Sequence, residues 1–334
     1  MIASDSAVTR RVLITTVPFG AVDRTPLNLL EQEGIDYVNN PLGRKLREQD
    51  LADMIGDFGV IIAGTEPITG KVLARAQRLK LIARVGVGLD NVDLLTARER
   101  KVLVSYTPDA PAPAVAELTL GLMLAALRFV PQADRALRGG DWRRYMGRRL
   151  AECTVGLVGV GRIGRRVVEL LASFGSRVLA NDMAPDEVFG RRHGSLTWVE
   201  KDQLYEEADV ISIHVPLTPA TLNLVTAREI SRMKPRSVLV NTARGGIVNE
   251  AELAHALRNR QLAGAAVDVF MEEPYRGELA GLDNCILTCH MGSMSEDCRA
   301  RMETEAVQET IRFLRNEPLQ QLVPAEELAM RSLV

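Results

Sequence analysis

The sequence predicts an α/β protein that is built from two doubly wound domains. Short apolar segments alternate with helix-like segments along nearly the whole chain, and a proline-rich stretch, TPDAPAPAVAE at 107–117, divides that alternation in two. The length of 334 residues also suits two domains. A net charge of −2 gives no global indication that the partner is nucleic acid or an acidic membrane.

The first part of the chain alternates regularly. The segments RVLITT, GVIIAG and KLIARVGVG predict strands, and the segments PLNLLEQEG, ITGKVLARAQRL and NVDLLTARERK predict helices. Residues up to about 107 therefore predict an α/β domain of their own.

A long apolar helix follows the proline-rich linker. Pro113 suits the first turn of a helix, and the other prolines stiffen the linker. The segment AVAELTLGLMLAALRF is apolar on nearly all sides, so we predict a buried helix that is broken at Pro131. The longest apolar run, 118–127, is too short to span a bilayer, and the N-terminal residues lack the apolar core of a signal peptide.

A glycine-rich turn opens the second part. The apolar segment TVGLV predicts a strand, and Gly159, Gly161 and Gly164 follow it at the G-x-G-x-x-G spacing. The first glycine permits a tight turn, the second lets the backbone approach a pyrophosphate, and the third lets the next helix pack closely. That helix begins near Arg162 and directs free N–H groups towards the phosphates.

An acidic residue ends the next strand, SRVLAND. Asp182 lies eighteen residues after Gly164, where a carboxylate accepts hydrogen bonds from the ribose of NAD and repels the 2′-phosphate of NADP. Met183 and Ala184 follow it rather than an arginine, which favours NAD. The alternative is a tight strand–helix turn with an aspartate on the surface.

The alternation then continues to the end of the second part. The segments DVISIHVPL, SVLVNTA, AGAAVDVF and CILTCH predict strands, and TAREISRM and NEAELAHALRN predict helices, the first with a Thr226/Glu229 capping box. A last helix at about 295–314 is predicted to return to the first domain. The two domains would then enclose a cleft, where small ligands commonly bind.

Three chemically active residues follow strands of the second domain. Arg244, Glu273 and His290 come after three different strands, whose carboxyl ends meet at one edge of a parallel sheet. Histidine suits proton transfer near neutral pH, a neighbouring carboxylate favours its protonated ring, and a guanidinium binds a carboxylate and polarises a carbonyl. Together they predict hydride transfer between a nicotinamide and C2 of a 2-hydroxy acid. Singly, each could be structural, which is our interpretation of His214.

The sequence resembles the D-isomer-specific 2-hydroxyacid dehydrogenase family, particularly its phosphoglycerate dehydrogenase-like branch. The resemblance runs from about residue 11 to residue 323, in the motifs ARVGVGLDNVD, VGLVGVGRIGRRV, HVPLTPAT, VNTARGGIVNEAEL, GAAVDVFMEEP and TCHMGS. It implies a Rossmann NAD-binding domain at 108–291, inserted into a flavodoxin-like substrate-binding domain made of 1–107 and 292–334. It also implies NAD as the cofactor and a homodimer built around the helices after the linker.

The resemblance implies roles for single residues as well. Arg244 and His290 contact the substrate, His290 being the catalytic acid–base and Glu273 the acid paired with it. The backbone N–H groups of Val87 and Gly88 bind the substrate carboxylate. The positions implied for the cofactor are Gly159, Gly161, Arg162, Ile163, Gly164, Asp182, Val215, Thr242, Ala243 and Asp268, of which Asp268 bonds the nicotinamide carboxamide.

The sequence departs from the family pattern at two places. Ala63 and Gly64 stand where phosphoglycerate enzymes usually carry an arginine–serine pair, which argues against 3-phosphoglycerate as the substrate. Cys289 replaces the proline that commonly precedes the catalytic histidine. It could shift the loop or add a thiol to the site.

An arginine-rich segment, WRRYMGRRL, has two interpretations. It could reach a second substrate anion, also across a dimer interface, or it could be a solvated or dimer-contacting arm. Its arginines are Arg143, Arg144, Arg148 and Arg149.

The cysteines bear on the cellular setting. Cys153, Cys285, Cys289 and Cys298 have neither C-x-x-C spacing nor the density of a disulfide scaffold. We therefore predict no metal site and a reducing, cytoplasmic location.

A different class of protein is also compatible with these motifs. Some transcriptional corepressors resemble this family, so an NAD(H)-sensing interaction protein is the alternative to an NAD-dependent dehydrogenase. A short-chain dehydrogenase is disfavoured because no tyrosine has a lysine four residues later, and a methyltransferase would not need the third glycine.

Overall fold

The structure of the protein is a computed structural model that describes residues 10–325 and residue 327. The chain divides into two compact units, the first of Met1–Pro111 with Met294–Val334 and the second of Ala112–Ser293. The sequence analysis placed the corresponding divisions after residues 107 and 291.

Both units are built on a parallel sheet. Among the described residues the first unit has five strands and the second has seven. The strands of the first unit are β1 (Val12–Ile14), β2 (Tyr37–Asn39), β3 (Val60–Ala63), β4 (Leu81–Arg84) and β5 (Leu103–Ser105). Those of the second are β6 (Thr154–Val158), β7 (Arg177–Asn181), β8 (Leu196–Trp198), β9 (Val210–Ile213), β10 (Val238–Asn241), β11 (Gly264–Val267) and β12 (Cys285–Leu287).

The strand orders identify two doubly wound sheets. The first sheet has the order β2-β1-β3-β4-β5, which is the flavodoxin-like order. The second has the order β12-β11-β10-β9-β6-β7-β8, so that two strands lie on one side of its first strand, as in a Rossmann domain. The predicted fold class is therefore confirmed. The sheet of the second unit reverses its winding direction between β6 and β9.

The helices cover the faces of these sheets. Strands β3, β4, β9, β10 and β11 are buried along their whole length, as strands of a parallel sheet covered on both faces are. The helices are α1 (Thr25–Gln32), α2 (Glu48–Met54), α3 (Gly70–Arg75), α4 (Leu94–Glu99), α5 (Ala112–Arg128), α6 (Val130–Arg138), α7 (Arg162–Ala172), α8 (Glu187–Arg192), α9 (Lys201–Glu207), α10 (Ala227–Ile230), α11 (Glu250–Arg258) and α12 (Glu296–Leu314).

Two helices agree with their sequence signals. Helix α12 packs on α1, β3 and β4 of the first unit, where the sequence analysis placed the final helix. The predicted capping box at Thr226 and Glu229 is present at the start of α10.

The prediction of a fully buried helix after the linker is wrong for one face of α5. Val115, Thr119 and Leu122 are buried, but Leu118 and Leu124 are only half-buried. Apolar composition alone does not identify which face of a helix has a partner within the chain. The break also comes slightly earlier than predicted, at 129, and the proline at 131 lies in the first turn of α6.

None of the described helices is by itself long and apolar enough to cross a membrane, although α5 and α6 meet the length and composition test as a bent pair.

Candidate active site

The glycine turn between β6 and α7 has the geometry that a dinucleotide needs. Gly159 has a φ of +96°, and a Cβ there would lie 2.7 Å from the carbonyl oxygen of His214. A Cβ on Gly164 would lie 2.3 Å from the carbonyl oxygen of Gly159, so only glycine lets α7 pack this closely. Around Gly161, in contrast, no described atom lies within 4 Å of a Cβ position. The second glycine therefore borders open space at the start of α7, where a pyrophosphate fits.

Asp182 lies directly on this turn. It follows β7, and its Oδ2 accepts a hydrogen bond from the backbone N–H of Val160 (2.7 Å), while its Oδ1 accepts one from that of Ala184 (3.0 Å). The carboxylate is thus held beside the glycines, which is the position that a ribose ligand requires.

Of three further predicted cofactor positions, Val215 borders the glycine turn, and Thr242 and Ala243 lie in the loop after β10. A Cβ on Gly159 would lie 2.9 Å from Cγ1 of Val215, so Val215 borders the first glycine. Thr242 is buried, and its hydroxyl hydrogen-bonds that of Thr119 on α5 (2.8 Å). The backbone N–H of Ala243 donates to Oδ1 of Asn241 (3.1 Å). Local bonds thus hold the backbone of this loop in place.

His290 and Glu273, which are seventeen residues apart in the chain, are joined directly. Nδ1 of His290 lies 3.0 Å from Oε1 and 2.9 Å from Oε2 of Glu273. The backbone N–H of Phe270 also donates to Oε1 (3.2 Å). The two side chains are 32% and 27% exposed, so they are partly shielded but reachable by a small molecule. Because Nδ1 is engaged, Nε2 is the ring atom that can exchange a proton with a ligand.

Arg244 is fixed by its own loop, which packs on the loop that carries Glu273. Its Nη1 donates to the carbonyl oxygen of Ala243 (2.7 Å), and its carbonyl oxygen accepts from Nδ2 of Asn241 (2.9 Å). A Cβ on Gly245 would lie 1.9 Å from the carbonyl carbon of Phe270, so the two loops touch through their backbones.

Asp268 is buried beneath the turn that carries His290. Its carboxylate accepts hydrogen bonds from the hydroxyl of Thr288 (2.5 Å) and from the backbone N–H groups of Met291 and Gly292 (2.9 Å each). The sequence analysis had related Asp268 only to the cofactor. These contacts with the turn have no local sequence signal, because they join two different strand ends.

In the first unit, Val87 and Gly88 lie in the half-buried loop after β4. Asn91 joins this loop to the end of β3, because its Nδ2 donates to the carbonyl oxygens of Gly64 (3.1 Å) and Glu66 (2.7 Å). The Glu66 side chain is buried, and its Oε1 accepts from Thr15 and from the backbone N–H of Gly64 (2.9 Å). This buried carboxylate, three residues after Ala63, was not predicted from the sequence.

The arginine-rich segment makes contacts within its own unit. Arg148 pairs with Asp209 (3.1 Å), and Arg149 pairs with Glu152 (2.7 Å). The guanidinium of Arg143 lies 5.0 Å from the ring centroid of Tyr145. These contacts favour a structural arm over an anion site.

All four cysteines are free, and Cys289 is exposed beside His290. Among residues 10–325 and 327, no three histidine, cysteine or acidic side chains are grouped so as to hold a metal ion.

His214, which we interpreted as structural, has a buried imidazole, and its burial should make the stability of the protein depend on pH. Its Nε2 lies 2.9 Å from Oγ of Ser212, its Nδ1 is buried without a partner among the described residues, and burial lowers its pKa to about 4. A histidine of the unfolded chain titrates near 6.5, so the unfolded state takes up the proton first as the pH falls. We therefore expect stability to be lost between pH 6.5 and 4, with about 2 kcal/mol lost at pH 5.

The measurement is the urea midpoint of the wild type and of H214Q at pH 7 and pH 5. The wild type should lose more stability than H214Q, while H255Q, which changes an exposed histidine, should behave as the wild type does. Equal losses in wild type and H214Q would contradict the expectation.

Comparison with known proteins identifies the family of the chain. The model of the "D-isomer specific 2-hydroxyacid dehydrogenase, NAD binding domain" matches residues 120–292. A D-3-phosphoglycerate dehydrogenase of Methanocaldococcus jannaschii is 36% identical over 293 residues, which are 86% of this chain and 56% of that protein. A hydroxypyruvate reductase of Thermotoga maritima is 35% identical over 276 residues, which are 80% of this chain and 89% of that protein. The chain thus spans about half the length of the phosphoglycerate relative.

Solved structures have the same architecture. The TT0316 protein of Thermus thermophilus has a TM-score of 0.85 and 34% identity, covering 94% of this chain and 100% of that one. A D-lactate dehydrogenase of Aquifex aeolicus, solved with NAD and lactic acid, has a TM-score of 0.82 at 24% identity, covering 94% of this chain and 98% of that one. At that identity the likeness supports the fold alone.

Proposed function

Because the chain belongs to the D-isomer specific 2-hydroxyacid dehydrogenase family, we propose that it is an NAD-dependent enzyme that interconverts a small D-2-hydroxy acid and its 2-keto acid. The observation that carries the proposal is the bond between Nδ1 of His290 and the carboxylate of Glu273 (2.9 Å). An imidazole held in this way is oriented for proton transfer at Nε2.

Several residues of the chain have separate roles in the proposed reaction. When bound, NADH supplies the hydride that C2 of the keto acid receives. Nε2 of His290 gives its proton to the carbonyl oxygen, and Glu273 stabilises the protonated ring. The guanidinium of Arg244 binds the substrate carboxylate and polarises the carbonyl. For the first unit, the resemblance supports the backbone N–H groups of Val87 and Gly88 as donors to the substrate carboxylate.

The second unit would hold the cofactor. The N–H groups of Arg162 and Ile163, at the start of α7, would donate to the pyrophosphate, and Asp182 would bind the ribose. Asp268 would accept a hydrogen bond from the carboxamide. The remaining contacts would come from Gly159, Gly161, Gly164, Val215, Thr242 and Ala243.

We propose a substrate without a phosphate group. Ala63 and Gly64 offer no cation at the end of β3, and the buried carboxylate of Glu66 lies beside them. Neither residue can therefore pair with a substrate phosphate as a cationic side chain would. Hydroxypyruvate and glyoxylate are therefore better candidates than the phosphorylated acids.

A panel assay tests the proposed function. Purified protein and NADH are mixed with small 2-keto acids, including phosphorylated and phosphonate ones, and NADH oxidation is followed by absorbance. We expect turnover of at least one 2-keto acid whose tail is uncharged. A protein that turns over none of them, but whose partner binding or self-association responds to NADH, would instead be the sensing protein of the alternative interpretation.

The homodimer and the cytoplasmic location are predictions that the structure does not test. A homodimer is supported by the half-buried apolar face of α5 and by Trp142 and Met146, which are 78% and 94% exposed on the segment after α6. Sedimentation analysis of the purified chain tests the homodimer, and a monomer at micromolar concentration would contradict it.

A cytoplasmic setting is supported by the free cysteines.

Replacing Asp182 tests the choice of cofactor. D182N keeps a hydrogen-bond acceptor for Val160 but removes the charge that repels a 2′-phosphate. We expect the NADH-to-NADPH affinity ratio to fall by about tenfold or more, which is the effect of one charged hydrogen bond. Calorimetric titration with both dinucleotides measures it. E187Q, which changes an exposed acid on α8, should leave the ratio unchanged, and an unchanged ratio in D182N would contradict the assignment.

Replacing Glu273 tests whether its carboxylate stabilises the protonated imidazole of His290. E273Q can still accept a hydrogen bond from Nδ1 of His290 but no longer stabilises a positive ring. We expect kcat at neutral pH to fall by about tenfold to a hundredfold, because the bond loses its charge assistance. The control is E272Q at the adjacent exposed glutamate, which should retain wild-type kcat. If both variants have the same kcat, Glu273 does not serve the histidine.

A further inference from the structure

One aspartate holds the whole turn that carries His290. His290 has a φ of +50°, a left-handed conformation that is uncommon for residues other than glycine. Its backbone N–H donates to the carbonyl oxygen of Asp268 (2.7 Å). The next two N–H groups, of Met291 and Gly292, donate to Oδ1 and Oδ2 of the same residue (2.9 Å each). Three consecutive N–H groups of the turn therefore end on Asp268.

Thr288 contributes a fourth donor, from its side chain. Its hydroxyl donates to Oδ1 of Asp268 at 2.5 Å, the same oxygen that accepts from Met291. Asp268 is 0% exposed, so protein donors rather than bulk water determine how its carboxylate is oriented. A buried carboxylate that lost one donor would be left under-satisfied, and it would reorient or the turn would open.

The two oxygens of the Asp268 carboxylate accept from different donors. Among the described residues Oδ1 accepts hydrogen bonds from Thr288 and Met291, and Oδ2 accepts one from Gly292. Thr288 and Met291 together therefore direct Oδ1 towards the turn, and Gly292 holds Oδ2.

We propose that Thr288 is a positioning residue for His290. Its hydroxyl orients the Asp268 carboxylate, which in turn fixes the left-handed backbone at His290 and so the approach of the imidazole to Glu273. This inference rests on the role of His290 in the proposed function, to which it adds a residue that touches neither substrate nor cofactor.

Two variants of similar shape test the role of the hydroxyl. T288V keeps the shape of the side chain without a donor, and T288S keeps the donor. We expect T288V to lower kcat by about tenfold or more, since small misplacements of a reacting group are costly, while the KM of the keto acid stays within about threefold. T288S should keep kcat within about twofold. An unchanged kcat in T288V, or equal losses in the two variants, would overturn the proposal, as would a lower Tm of T288V without loss of kcat.

A second readout does not depend on turnover. The Nδ1 proton of His290, shared with Glu273, should give a downfield resonance in a protein with only four histidines, and H290N assigns it by its loss. We expect this resonance to persist in T288S and to shift or broaden in T288V. Its persistence unchanged in T288V would overturn the proposal. If T288V does not fold, T288A is compared with T288S in the same way. The resonance tests the role of Thr288 even if no 2-keto acid proves to be a substrate.

Discussion

Replacing His290 with asparagine is expected to lower kcat for reduction of a 2-keto acid by about a thousandfold, which is within the range of one lost general acid. Asparagine is the suitable replacement because it tolerates the left-handed backbone, φ +50°, better than other residues apart from glycine. The turn and its bonds to Asp268 should therefore survive. The affinity for NADH should stay within about twofold, since the imidazole serves the proton and not the dinucleotide.

Steady-state kcat and a calorimetric Kd for NADH measure the two effects separately. H255N, at an exposed histidine of α11, is the matched control and should behave as the wild type does. A kcat of H290N within about tenfold of the wild type would contradict the role of His290 as the acid. Loss of NADH binding together with activity would mean that the turn itself had collapsed.

Replacing Arg244 with lysine is expected to lower kcat/KM by about a hundredfold. Lysine keeps the positive charge, but it cannot present the paired donors that bind a carboxylate and a carbonyl together. The loss corresponds to about one to two charged hydrogen bonds. The contact of Nη1 with the carbonyl of Ala243 would also go, so the charge would be less well directed.

The control for Arg244 is R258K, at an arginine whose side chain is 52% exposed and paired with Glu278. That variant should keep kcat/KM within about twofold, because a surface ion pair contributes little. If R244K does so too, Arg244 does not bind the substrate. If R244K weakens NADH binding as much as it raises KM, the residue acts on the dinucleotide instead.

The sequence predicts those features of the site that depend on residue spacing or on a residue's position directly after a strand. The spacing of Gly159, Gly161 and Gly164 predicts three backbone features. In the structure, Gly159 and Gly164 make close contacts that exclude a Cβ, and Gly161 borders open space. Arg244, Glu273 and His290 were predicted to meet because parallel strands end at one edge of a sheet. The order of the strands brings these loops together, but it does not determine the distance between Nδ1 of His290 and the carboxylate of Glu273.

The parts that the sequence did not predict depend on contacts between distant segments. Strands β2, β5 and β8 were not predicted, because their segments YVN, LVS and LTW contain polar residues, whereas the equally short β1 and β12 are apolar throughout. The burial of Glu66 follows from Thr15 and the end of β3 closing over it, and nothing near Glu66 in the chain indicates that. The bond from Thr288 to Asp268 likewise joins the ends of two strands, and a threonine after an apolar segment has no distinctive pattern.

Transfer of deuterium tests whether the protein reduces C2 of a 2-keto acid by hydride transfer with His290 as the acid. The wild type is supplied with NADH that carries deuterium at the transferable C4 position and with the 2-keto acid that the panel identifies. We expect a D-2-hydroxy acid with deuterium at C2, formed about a thousandfold more slowly by H290N. NADH consumption that leaves no deuterium at C2, or that yields the L-isomer, would contradict it.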